Sequence, residues 1–219
     1  MLQKIKYPRT FHFNWSEEIA NDDKILKCTS GFDNKNVIVT EKMDGENTTL
    51  YSSYFHARSL DSAPHLSQSW VKNLHGKIQI NIPINWRICG ENIYAKHTIF
   101  YNNLISYFLV FGIWNNENYC LSWDDTLEYI SLLGLHSVPI IYRGKFDKDI
   151  IHNTFLEYCS SLDRNSEGYV VRIVDRFSYD KFNKVVGKYV RKGHVNDDTH
   201  WKYKKIIPNQ LIECLTYGE

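Results

Sequence analysis

The sequence predicts an α+β domain built on antiparallel sheets, and three observations carry that prediction. Short strand candidates rich in β-branched and aromatic residues recur along the whole chain. Capped helices are few and fall irregularly between them, unlike a regular strand–helix alternation. No repeat, low-complexity tract or Pro/Gly-rich linker divides the chain, so residues 1–219 read as one domain.

The strand candidates are Val37 to Glu41, Asn47 to Ser52, Trp86 to Gly90, Tyr107 to Trp114, Ser137 to Tyr142, Gly168 to Val174 and Val185 to Arg191. A helix is expected from Ser122 as N-cap, with Asp124 and Asp125 placed to meet the helix dipole and a stop near Gly134. Its buried stripe should be Leu127, Ile130 and Leu133. A second helix is expected over Asp147 to Leu162, with Ile150, Ile151, Phe155, Leu156 and Cys159 at helical spacing, and a third over Gln68 to Ile78.

Composition bounds the function. With 219 residues, 43% apolar and 15% aromatic, the chain can bury one sizeable core. Basic and acidic side chains number 26 and 25, so no global field attracts nucleic acid and any polyanion site must be local. Such a patch lies between Lys181 and Lys205, where eight basic side chains face only Asp197 and Asp198, interleaved with Tyr189, Trp201 and Tyr203. Those aromatics could stack on bases or anchor the core. Five cysteines, odd in number and never in a CxxC pair, argue against disulfides and zinc fingers. Together with the lack of a signal peptide or a long apolar span, they predict a soluble, cytoplasmic protein that does not enter membranes.

Chemistry concentrates first at Glu41-Lys42-Met43-Asp44-Gly45-Glu46, where an apolar strand delivers a lysine to a turn and a second strand leaves it. An amine held there could attack phosphorus or a carbonyl once its pKa is lowered. The same tetrad is also an ordinary hairpin turn with a solvated lysine. Five more segments follow: Ala57-Arg58-Ser59, Arg87 to Asn92, Val110 to Trp114, Ser166 to Arg172, and Gly187 to Lys192.

In that order these segments resemble the covalent nucleotidyltransferase superfamily of DNA ligases, RNA ligases and messenger RNA capping enzymes. The stretches EKMDGENTTLY, GENIYAKHTI, SEGYVVR and KYVRKGHVNDDTHW are similar to its ATP-dependent RNA ligase branch, over residues 37–205. The resemblance implies the ligase adenylylation fold, antiparallel sheets flanked by helices, and roles for individual residues. Lys42 would be the nucleophile that takes AMP from ATP. Glu41 would read the adenine edge, Phe111 would stack on the base, Glu91 would accept from a ribose hydroxyl, and Arg58 would contact ribose or phosphate. Asn47 would lie near the triphosphate, and Glu167 would hold Mg²⁺ or Mn²⁺. Lys188, with Arg191 or Lys192, would bracket the α-phosphate and favour the neutral form of Lys42. The implied substrates are RNA ends or nicked RNA, extending to DNA-containing duplexes, with a separate end-healing or end-presenting protein as partner. Only about 27 residues follow Lys192, too few for the OB-fold that DNA ligases and capping enzymes append.

Each assignment has a structural rival. Phe111 sits in an almost wholly apolar run and could be core; Glu91 and Arg87 could form a surface pair, Glu167 could be a turn residue, and Arg58 could be solvated. The choice between Arg191 and Lys192 stays open, because Val190 occupies the position two residues from Lys188 on the same strand face. His194, Asp197, Asp198 and His200 read as a polar loop or a metal cluster.

Overall fold

The computed structural model describes residues 4–61, 63–193 and 205–212. In chain order its elements are β1 (Phe11–His12), β2 (Asn36–Glu41), β3 (Glu46–Leu50), β4 (Phe55–Ala57), α1 (Ser69–Ile78), β5 (Arg87–Asn92), β6 (Phe108–Trp114), β7 (Tyr119–Cys120), α2 (Trp123–Leu132), β8 (His136–Ser137), β9 (Ile140–Lys145), α3 (Lys148–Ser160), β10 (Gly168–Ile173), β11 (Phe177–Ser178), α4 (Phe182–Val185) and β12 (Val186–Val190). They form two sheets. One runs β1-β12-β10-β2-β9; the other runs β11-β7-β6-β5-β3-β4 with β8 beside β6. Among the strands of the described residues only β1–β12 and β6–β8 pair in parallel, so the predicted antiparallel α+β architecture is what the chain adopts.

Two expectations change. The segment from Ser137 to Tyr142 is not one strand, because Pro139 has no N–H for a ladder: β8 ends in one sheet and β9 begins in the other. The helix stripes also shift. In α2 the buried residues are Trp123, Thr126 and Ile130, with Leu127 and Leu133 half-buried. In α3 only Ile151 and Phe155 are buried, while Ile150 and Leu156 remain 51% and 48% exposed. A helix lying on a sheet can bury one stripe, and an apolar residue one position off that stripe faces water. The predicted cap at Ser122 holds, its Oγ accepting from the Asp125 amide; Asp147, expected as the first residue of its helix, is instead the cap, its carboxylate accepting from the Asp149 and Ile150 amides.

Strand alternation separates the two faces of the first sheet. Val39, Glu41, Tyr169, Val171 and Tyr189 point toward α3, where Tyr169 stacks on Tyr189 at 4.8 Å and Phe155 closes on both rings. Thr40, Val170, Arg172, Val186 and Lys188 point the other way, into a cleft bounded by the second sheet. No helix among the described residues is long and apolar enough to cross a membrane.

Candidate active site

Lys42 follows directly on β2, and its amide still donates to Gly168 O of β10 at 2.9 Å. The chain then bends at Asp44-Gly45 and enters β3, which belongs to the other sheet. The Lys-x-Asp-Gly tetrad is therefore a crossing between sheets and not a hairpin, and it leaves Lys42 at their seam. Two contacts explain the Asp-Gly pair. Asp44 Oδ2 accepts from the Thr98 and Ile99 amides at 2.7 and 2.8 Å, fixing the far loop against the turn. A Cβ at Gly45 would lie 2.6 Å from Asn92 O, so only glycine permits this approach of two backbones.

The cleft, about 290 Å³, takes Thr40, Lys42, Val170, Arg172 and Lys188 from the first sheet and Asn47, Arg58, Glu91 and Phe111 from the second. Asn47 and Glu91 are cross-strand partners on β3 and β5. Phe111 is the extra residue of a bulge, since Gly90 pairs with Val110 and Cys89 with Gly112. The bulge turns its half-buried ring to the cleft, where Tyr7 packs edge-on at a centroid distance of 5.0 Å. Asn47 Oδ1 is buried with no hydrogen-bond partner among the described residues.

Charge is dense here. Lys42 Nζ lies 2.5 Å from Glu167 Oε1, and the lysine side chain is 25% exposed. Burial opposes the ammonium, but Glu167 and then Glu91 outweigh it and raise the pKa of Lys42 above its ordinary value. The expected depression of the Lys42 pKa is therefore absent, because the nearest charged neighbours are carboxylates. Lys188 behaves oppositely: burial and then the Lys42 charge lower its pKa, against the pull of Asp23 at 3.6 Å. At the rim, burial and then Arg9 lower the pKa of Arg58, while Arg9 itself pairs with Asp22 at 2.8 Å.

Glu91 is pushed up to about 8 from 4.5, first by burial, with Lys42 opposing and Glu167, Asp44 and Glu46 adding to the rise. A folded-state pKa above the unfolded one gives stability that is full below about 4.5 and lost as pH rises through about 8. Glu91→Gln removes that loss. Denaturant melts of both proteins at roughly pH 6 and roughly pH 9 should show the variant gaining on wild type by about 2 kcal/mol across the interval. A constant difference would mean that Glu91 titrates normally.

Glu167, Arg191 and Lys192 are expected site residues that do not line the cleft, and Glu41 lines it with its carboxylate turned to another partner. The Glu41 carboxylate, 1% exposed, points to the α3 side and accepts from Arg164 Nη1 at 2.6 Å, Arg164 Nη2 at 2.9 Å and Tyr158 Oη at 2.7 Å. Arg191 and Lys192 do not line the cleft, so Lys188 is the cation of β12 that does. Arg191 donates its amide to Glu167 O, and the exposed Lys192 donates its own to Glu17. His194, Asp197, Asp198, His200, Trp201 and Tyr203 lie outside the described residues. Among the described residues no cluster of three His, Cys, Asp or Glu side chains forms a free-standing metal site. Glu91, which lines the cleft, and Glu167, the ion-pair partner of Lys42, nevertheless suit a hard cation that is shared with nucleotide phosphates.

Sequence reasoning missed Arg164, Tyr158, Tyr7, Asp23 and Arg172. Arg172 could have been found from its parity with Val170 on β10. Nothing local marks Arg164, which sits in a short polar loop.

The RNA ligase family model matches residues 35–190. No curated protein sequence matches the chain. Among solved structures, a point mutant of the Naegleria gruberi RNA ligase with ATP and Mn aligns with a TM-score of 0.55 at 14% identity, covering 88% of this chain and 62% of that one. An archaeal ATP-dependent RNA ligase aligns at 0.56 with 14% identity, covering 84% and 48%. A putative ATP-dependent DNA ligase from Aquifex aeolicus aligns at 0.53 with 19% identity, covering 84% and 49%. The chain thus spans about half to three-fifths of these neighbours' lengths, and the fold is the one they share.

Proposed function

Because the chain belongs to the RNA ligase family, we propose that it is an ATP-dependent RNA ligase that joins 5′-phosphate to 3′-hydroxyl ends in RNA repair. The observation that carries the reading is Lys42, whose amine opens at the seam of two sheets onto a cleft lined by cations, carboxylates and Phe111. The Naegleria gruberi neighbour was solved with ATP and Mn, and ATP with Mg²⁺ or Mn²⁺ is the pairing we assign to this cleft.

In the first step Lys42 loses a proton and its amine attacks the α-phosphorus of ATP. An N–P bond forms, the bond to the β-phosphate oxygen breaks, and pyrophosphate leaves with the electron pair. AMP then passes from Lys42 to a 5′-phosphate, and a 3′-hydroxyl displaces it to form the phosphodiester. Glu167 and Glu91 would hold the divalent cation, which supplies charge neutralisation at the phosphates. Lys188 faces the same space and stabilises charge on the α-phosphate. Phe111 would offer a flat apolar face to the base, and Asn47 and Arg58, which line the same cleft, would meet the phosphates.

Sealing assays on nicked duplexes with RNA, DNA or mixed strands, ATP and Mg²⁺ test the substrate. The expected result is joining of RNA 3′-hydroxyl ends at least about tenfold faster than DNA ends, the margin one good discriminating hydrogen bond supplies. Equal rates would discard the RNA assignment. Absence of joining even on pre-adenylylated ends would discard sealing.

A further inference from the structure

We propose that Arg164 is a positioning residue for Lys42, holding the nucleophile from the side of the sheet opposite the cleft through Glu41. The inference rests on the function proposed above and adds a residue that never meets the nucleotide. Its guanidinium grips both oxygens of the Glu41 carboxylate and donates to Asn165 O at 3.1 Å, within the loop that leads to Glu167. Its face lies 4.6 Å from the centre of the Tyr101 ring, and the Tyr101 hydroxyl accepts from the Asp44 amide at 2.9 Å. One side chain thereby touches the residue before Lys42, the tyrosine that holds the residue two after it, and the loop that carries its ion-pair partner.

The group is rigid for a physical reason. Arg164 and Glu41 side chains are 17% and 0% exposed, and Tyr158 supplies a further hydrogen bond to the same carboxylate. In so dry a site the planar fork of arginine fixes both distance and direction. Behind Tyr101, Asn209 Oδ1 accepts from the Tyr101 amide at 2.9 Å, which closes the frame. Lys42 is thus held on both flanks, so its reach toward Glu167 and the cleft is set before any nucleotide arrives. Glu41, spent on this bond, reaches the nucleotide only through its backbone.

The rival is that Arg164 merely neutralises a buried carboxylate. Three variants separate the two: Arg164→Met, Arg164→Met with Glu41→Gln, and Tyr158→Phe, each measured for the rate of lysyl-AMP formation, KM for ATP and melting temperature. Arg164→Met alone should lose stability, because a buried carboxylate is left without its counter-ion. The double variant removes that charge and should recover most of the melting temperature, yet form lysyl-AMP about 10–100-fold more slowly at saturating ATP, with KM little changed. Tyr158→Phe should slow the step about threefold without a large change in melting.

A double variant that regains the wild-type rate would reduce the pair to charge balance and overturn the proposal. A change confined to KM would show that the Glu41 carboxylate acts on ATP, with the same consequence. Should the double variant not fold, an unchanged rate in Tyr158→Phe overturns it. If wild type itself takes no label, the proposed function fails, while hydrogen exchange at the Lys42 and Asp44 amides still tests positioning: both should exchange faster in folded Arg164 variants.

Discussion

Lys42→Ala protein incubated with α-labelled ATP and Mg²⁺ should carry at least about 1,000-fold less acid-labile label than wild type, because covalent catalysis is lost with its nucleophile. The cleft contains a second amine, but Lys188 lies on β12 and is held toward Asp23 at 3.6 Å. It therefore does not replace Lys42. The substitution also removes a counter-ion at 2.5 Å from Glu167, which costs up to about 3–5 kcal/mol, the range for a fully buried pair. Melting must accordingly be followed alongside labelling, to separate lost chemistry from lost fold. Acid-labile label persisting on a folded Lys42→Ala protein would assign the nucleophile elsewhere. A folded wild type that takes no label from ATP, after release of any AMP already bound, would end the ligase reading.

Gly168→Ala should be the most damaging single methyl group in this region. Gly168 has φ +154°, and a Cβ there would lie 2.0 Å from Tyr189 O and 2.9 Å from its carbonyl carbon. Both obstacles are backbone of the adjacent strand, which cannot move without opening the β10–β12 ladder at its Gly168–Val190 end. The expected cost is about 4 kcal/mol, the range of severe backbone and overpacking changes. For a chain of this length it corresponds to a melting point lower by roughly 8–16 °C. Activity should fall as well, because Glu167 precedes the glycine and Gly168 O accepts from the Lys42 amide. Loss of less than about 1 kcal/mol would mean that β12 yields easily and that Glu167 is not rigidly placed.

Local patterns in the chain were enough to find the long strands other than β9 to within a residue or two, since β-branched and aromatic runs bounded by polar residues require only nearest neighbours to be read. The cap at Ser122 is equally local. Helix stripes were less legible: Ile150 and Leu156 have helical spacing, but only contact with the sheet decides which stripe is covered. Phe111 shows the same limit, because an apolar run does not reveal the bulge that turns one ring to the cleft.

The sequence by itself determined the long strands other than β9, the cap at Ser122 and the ordered motifs that place Lys42, Asn47, Arg58, Glu91, Phe111, Glu167 and Lys188 as candidates. Only the tertiary structure decided that β2 and β3 enter different sheets, that Glu41 turns its carboxylate away from the cleft, that Lys188 and not Arg191 or Lys192 faces it, and that Arg164 reaches Glu41 across 123 positions. Alternation along a strand states which side chains share a face, but strand pairing and the packing of α3 on one side determine which face is covered and which opens onto the cleft.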